Sequence, residues 1–252
     1  MRRLLASIAV LGTLATGASA AEPWQDAIAT GLGKPGTAMP DGVYRVGLPR
    51  TDLNVTLDGV QLKPSFALGS WLAFVRHGGG DEVMVMGDVV LTENEVNPVM
   101  KRLVENGVEI TAIHNHLLRA SPSTLYMHVD AAIGRKGKVN GGVYAVSVPR
   151  AETPKDHGMT VPEAMGSSIA INFQPTGGGK AAITGDFVLT ADEVNPVIKA
   201  LRANGIEVTA LHNHMLDDEP RLFFMHFWAN DDAGKLAKGL REALDHVRVA
   251  KS

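Results

Sequence analysis

Apolar and polar positions along this chain switch between a period of two and a period of 3.6, and they do so twice in the same order. Val83 to Leu91 is rich in β-formers. Thr92 then reads as a helix N-cap, with Glu95 three residues on completing a capping box. Val96, Val99, Met100 and Leu103 follow at helical spacing, and Asn106-Gly107 closes the helix. Asn97-Pro98 is also a good N-cap and first-turn pair. It predicts a helix that opens in a short irregular turn and runs regularly only from Pro98. Val108 to Leu117 alternates as a strand, Arg119 to Ser123 is a turn, and Thr124 to Val129 is a returning strand.

The second occurrence is a copy of the first. Gly87 to Leu118 aligns without gaps to Gly185 to Leu216 at a shift of 98, with 21 of the 32 positions identical. Further upstream, Val46-Gly47-Leu48-Pro49-Arg50 matches Val146-Ser147-Val148-Pro149-Arg150 at a shift of 100. Such a period is far longer than a solenoid repeat, so it predicts two tandem domains or pseudo-symmetric halves, 21–140 and 141–252. In the second copy an amphipathic helix follows, with Leu236, Ala237, Leu240, Ala243, Leu244 and Val247 on one face. The first copy has the Gly/Lys-rich stretch Gly134 to Gly142 there, which predicts a short or missing last helix. Val43 to Leu48 and Leu53 to Leu62 read as further strands. The fold class is therefore α+β, built of two βαββ(α) units of the ferredoxin-like type.

Composition changes the picture at three points. Arg2 and Arg3, the apolar run Leu4 to Leu14, and Ala18-Ser19-Ala20 form the pattern of a secretory signal peptide over residues 1–20, with a mature chain from Ala21. A periplasmic or secreted location follows. Cleavage moves the net charge from −3 to −5, because it removes two arginines and no acid. A mildly acidic chain without a basic block is a poor nucleic-acid partner, and no stretch after the leader has the length of a membrane helix. The chain has no cysteine. That excludes disulfides, thiolate metal sites, a cysteine nucleophile and lipid attachment through an N-terminal cysteine.

The chemistry sits in the histidines. His114-Asn115-His116 recurs as His212-Asn213-His214, and each is followed at the same distance by another histidine, His128 and His226. With Glu95 and Glu193 upstream, the pattern E-x18-H-x-H-x11-H is duplicated and takes in six of the nine histidines. If the strands flanking each helix run parallel in a right-handed βαβ unit, the helix start and the tripeptide share one sheet edge. His114 and His116 then face the same way, and the hairpin near Ser121 brings His128 opposite His114. One triad per copy is expected, each suited to Zn, Cu, Ni, Mn or non-haem Fe. Glu95 and Glu193 are either capping-box residues or a fourth ligand or general base.

The remaining repeated residues have plainer readings. Asp88 and Asp186 follow glycine and read as turn residues or as partners behind the ligands. Asn115 and Asn213 face away from the flanking imidazoles and serve backbone groups. Met127 and Met225 read as core. His77, His157 and His246 have no counterpart in the other copy. Gly78-Gly79-Gly80 and Gly177-Gly178-Gly179 lack the strand-to-helix setting of a phosphate loop. The HNH nuclease element spreads its residues over a ββα unit, and a cupin places Glu soon after His-x-His on an all-β barrel. Neither arrangement fits here.

Lys63-Pro64-Ser65-Phe66-Ala67-Leu68-Gly69-Ser70-Trp71, Met86 to Leu91, Glu95 to Val99 and Thr111 to His116 together resemble the LppY/LpqO family of bacterial exported proteins. The resemblance implies a duplicated domain and an envelope location, and it implies no catalytic residues. The leading expectation is thus an exported protein that binds a divalent transition metal at one or two His-rich sites. A metal-dependent hydrolase using metal-activated water is the alternative, and a binding module with structural histidines is a third.

Overall fold

The computed structural model describes residues 22–76, 83–129, 133–134 and 139–250. The predicted leader and His77 lie outside them. Two compact units divide the chain at Pro35/Gly36. The first carries helix α1 (Pro23–Leu32), capped by a Glu22/Gln25 box and ended by Gly33 in the left-handed region. There φ is +64°, a value that glycine adopts without strain.

The second unit holds both repeats, each with a six-stranded antiparallel sheet. The first repeat contains β1 (Thr37–Ala38), β2 (Tyr44–Pro49), β3 (Thr56–Leu57), β4 (Val60–Gln61), α2 (Pro64–Ala67), β5 (Gly69–Arg76), β6 (Val83–Thr92), α3 (Glu93–Glu105), β7 (Ile110–His114) and β8 (Thr124–Val129). After the short strands β9 (Ile133–Gly134) and β10 (Val139–Asn140) comes β11 (Val143–Val148). The short β12 (Lys155–Asp156), β13 (Met159–Thr160) and β14 (Ala164–Met165) follow. The second repeat then runs through β15 (Ile169–Gly177), β16 (Lys180–Leu189), α4 (Ala191–Ala203), β17 (Glu207–His212), β18 (Asp218–Glu219), β19 (Phe223–Asp232) and α5 (Ala233–Leu244). The sheet orders are β1-β2-β5-β6-β8-β7 and β10-β11-β15-β16-β19-β17, so the repeats match strand for strand.

This is the α+β architecture expected from the patterning, with corrections in detail. β6 and β7 do run in one direction, but β8 is inserted between them and pairs antiparallel with both. The unit is a split βαβ, because the β7–β8 hairpin folds back into the space beside β6. β7 is shorter than expected and ends at His114, where the chain turns away toward Arg119, a residue with φ +69°. A bulge lies between Ile110 and Ala112, and another between Val208 and Ala210 in the other sheet. The hairpin register is offset by two residues from the expected one. His114 faces Tyr126 and His128 faces Ala112, an offset that preserves the face.

Helix α3 starts at Glu93 and not at Pro98. The capping box of Thr92 and Glu95 sets the start, and Pro98 is tolerated inside despite the missing N–H. α4 repeats this with Thr190, Glu193 and Pro196. α5 buries Leu236, Leu240, Ala243 and Leu244 of its predicted face, leaves Ala237 of that face exposed, and packs against α4. No helix stands at the equivalent place in the first repeat among the described residues. Accordingly α4 has five buried residues and α3 has none.

The apolar cores do not respect the repeat boundary. One cluster is drawn mostly from the second repeat and includes Val43, Ala73 and Met86 of the first. The other centres on Leu57, Leu62, Phe66 and Tyr126 and takes in Val143, Ala182 and Trp228. Trp228 donates from Nε1 to Asp58 at 3.0 Å, and Gln174 both accepts from the Lys63 N–H and donates to the Gln61 carbonyl. Each repeat therefore completes the other's interior. No helix among the described residues is long and apolar enough to cross a membrane.

Candidate metal centre

The two His-Asn-His tripeptides meet. β7 and β17 each deliver their last residue, His114 and His212, to one place, with ring centroids 3.5 Å apart. His116 and His214 follow just past the strand ends, 4.9 and 5.0 Å from their tripeptide partners. His116 lies between the Tyr126 ring at 3.6 Å and the His226 ring at 3.7 Å. His214 stacks on Phe224, the residue equivalent to Tyr126, also at 3.6 Å. An aromatic neighbour in each repeat thus fixes the plane of the second imidazole.

Ligand atoms of His114, His116, His212 and His226 all lie within 4.8 Å of one another. Two metal–nitrogen bonds of about 2.1 Å place opposite donors about 4.2 Å apart, so this set is near the dimension of one coordination sphere. A second set, Asp186, His214 and His226, satisfies the same limit. The expectation of one triad per copy is therefore corrected: the four-imidazole set draws two histidines from each repeat. The cause is tertiary, since β7 and β17 belong to different sheets and yet end with their last side chains, His114 and His212, in contact. The side chain of His128 lies outside the described residues, although its backbone pairs with Asp88 as that of His226 pairs with Asp186.

His226 is the best defined member. It is 4 % exposed, and its Nδ1 lies 3.1 Å from the Gly185 carbonyl oxygen. A carbonyl only accepts, so the proton sits on Nδ1 and the Nε2 lone pair is left for a ligand. Among the described residues that Nε2 has no hydrogen-bond partner, although it is buried. Burial pushes the His226 pKa well below the ordinary range, and the nearby His212 and His114 push it further. Burial likewise lowers His114 to about 4, and burial with the neighbouring His114 lowers His212 to about 3. These three imidazoles are neutral at pH 7, the form that binds metals.

Asp88 and Asp186 are strand residues and not turn residues, at matching places in β6 and β16. Burial raises Asp88 to about 8, an effect partly offset by Arg45. Burial and the charge of Asp88 hold Asp186 well above the usual carboxylate range. Asp186 Oδ1 is also buried with no hydrogen-bond partner among the described residues. The legible signal was an acid repeated inside two otherwise apolar strands. The glycine before it has its own reason in the second repeat, where a Cβ at Gly185 would lie 1.9 Å from the Ala170 carbonyl oxygen.

Glu95 and Glu193 are not brought to the imidazoles. Glu95 Oε2 accepts from the Thr92 N–H and from Arg50, both at 2.8 Å. Glu193 takes the Thr190 N–H, Arg150 and the Arg248 N–H at 2.7–2.8 Å. Arg50 and the Thr92 N–H hold Glu95 below the usual range. Burial alone would raise Glu193, but Arg150 and the two N–H donors outweigh it and hold the group below the usual range. Each glutamate closes a brace between its helix start and the Arg after the Val-x-x-Pro segment, a repeated pair that the sequence contained. Asn115 donates to Ser123 Oγ and Asn213 to the Leu222 carbonyl, so both tie the hairpin loop.

The sequence matches the family DUF1529, described as Domain of Unknown Function (DUF1259), over residues 26–132 and again over 129–246. The chain belongs to that family and carries its domain twice. No match was found among curated proteins or among solved structures.

Proposed function

We propose that this chain is an exported protein, periplasmic or secreted, that binds a divalent transition metal at a centre shared by its two repeats. The observation that carries the reading is His226 Nε2: buried, unprotonated, without a hydrogen-bond partner among the described residues, and grouped with three further imidazoles. A purely structural histidine network would satisfy that atom. The donors are either four imidazoles or Asp186 with His214 and His226. His226 has a single nitrogen to give, so the two sets compete for it. Zn, Cu, Ni, Mn and non-haem Fe all accept such donors. Export rests on the pattern of the first twenty residues and accords with the LppY/LpqO resemblance.

The test is metal content and melting temperature after zinc loading and removal of excess, for the wild type and for His212→Ala/His226→Ala. The wild type is expected to retain zinc and melt higher with it, since 100-fold saturation over Kd is worth about 2.7 kcal/mol. The double variant is expected to retain none. Equal metal in both, with no metal-dependent melting, sinks the reading.

A second reading, a metal-dependent hydrolase, is favoured by a cavity of about 430 Å³ that borders His116, His214 and His226. A bound metal supplies a water of lowered pKa. Asp88 and Asp186 also line that cavity, each with a pKa raised by burial, so ionisation of Asp186 beside the imidazoles would be required before it served as a base, whereas Glu95 and Glu193 are committed to their arginines.

A further inference from the structure

The cavity exists because the repeats diverge at two positions. Trp71 lies across from Asp88 and Ala170 lies across from Asp186, so the two are equivalent by register. Arg45 faces Ala73, and Ala145 faces Asn172, in each case two residues along the same strand. The first repeat thus holds Arg and Trp where the second holds Ala and Ala, and all four line the cavity. The missing side chains of the second repeat leave the space, and the first repeat furnishes it. A volume of about 430 Å³ is in the range of small-molecule pockets.

The furnishing is specific. The Arg45 guanidinium carbon lies 4.0 Å from the centre of the Trp71 ring. The contact seats the guanidinium over the face of the indole. No carboxylate among the described residues is within ion-pair distance of Arg45. The wall does include acids: Asp186 beside the imidazoles, Asp88, whose charge acts on Arg45, and Glu163, which accepts a hydrogen bond from Ser168 at 3.1 Å. A metal held by the four imidazoles would keep its positive charge and add a second cationic point to the space that Arg45 lines.

We propose that this cavity binds a small carboxylate-bearing molecule, with its anionic group on Arg45 and its body against Trp71. The siting beside a metal rests on the reading above, while the Arg45–Trp71 stack stands apart from it. Calorimetric titration with benzoate and with its uncharged analogue benzamide tests the proposal, on zinc-loaded and metal-free protein. Benzoate is expected to bind saturably and benzamide at least about tenfold more weakly. Arg45→Gln is expected to weaken benzoate about tenfold or more, Arg45→Lys by less, with zinc content unchanged in both. Ala170→Leu, and independently Ala145→Leu from the other strand, is expected to abolish benzoate binding by filling the space. Absence of saturable benzoate binding, or equal affinity in wild type and Arg45→Gln, overturns the proposal. Arg45-dependent benzoate binding by a wild type that takes no zinc sustains the pocket and removes the metal reading alone.

Discussion

The two repeats share a motif and differ in how deeply they bury it. Arg150 and Glu193 are 1 % and 5 % exposed at the side chain, whereas their equivalents Arg50 and Glu95 are 17 % and 41 % exposed. The same contrast runs through the helices, since α5 covers α4 and nothing equivalent among the described residues covers α3. At the centre the order is reversed. There the first repeat carries Arg45, Trp71 and Tyr126 where the second has Ala145, Ala170 and Phe224. Duplication supplied a repeated set of imidazoles and braces. Divergence made one half a scaffold and gave the other half the side chains that furnish a pocket.

The largest effect is expected at the braces. Glu193→Ala takes from buried Arg150 one of its two carboxylates, leaving Glu152, and removes a capping-box carboxylate, which costs up to about 3–5 kcal/mol. Glu95→Ala, the identical chemical change in the first repeat, costs about 1 kcal/mol because water replaces much of what is lost. Chemical denaturation of both variants measures the gap, and equal losses would break the scaffold reading of the second repeat. Gly185→Ala comes next, at about 1–3 kcal/mol, since the new methyl must displace the Ala170 carbonyl. It also moves the Gly185 carbonyl that holds His226, so zinc affinity is expected to fall about 10–100-fold.

Acid and base sides of the stability curve separate the imidazoles from the carboxylates. His114 and His212 have folded pKa values of about 4 and 3 against an ordinary 6.5. Between those limits the unfolded chain binds more protons, so their contribution is lost as pH falls. Asp88 is raised from 3.8 to about 8, so the folded chain binds the extra proton and stability is lost as pH rises through that window. Above pH 6.5 only the carboxyl side still titrates. Asp88→Asn is therefore expected to flatten the decline between pH 6.5 and 8, on the order of 1 kcal/mol, and to leave the acid limb intact. Urea unfolding of metal-free protein across that range checks both limbs. A decline as steep in the variant as in the wild type would sever Asp88 from the buried site.

Much of this was legible in the chain. Most of the helix face of α5, the capping boxes, the order of elements along each repeat and the pairing of imidazoles within each tripeptide follow from local periodicity, while the insertion of β8 between β6 and β7 does not. What local pattern cannot carry is the meeting of His114 with His212, because it depends on how two sheets pack. Asp88 and Asp186 read as turn residues or as partners behind the ligands, the turn because Gly-Asp is a turn signal, and the buried strand around them overrode that signal. The glutamates drew attention by repetition, yet what repeats is the pair with Arg50 and Arg150, a structural device.

The central claim is one centre built from both repeats, and zinc stoichiometry in variants that each strip a single repeat tests it most directly. His114→Ala/His116→Ala and His212→Ala/His214→Ala, compared with wild type by metal analysis after equilibrium dialysis, are each predicted to lose the same bound ion entirely. Retention of half the wild-type metal by each double variant would contradict the shared centre and restore two independent sites, one in each repeat.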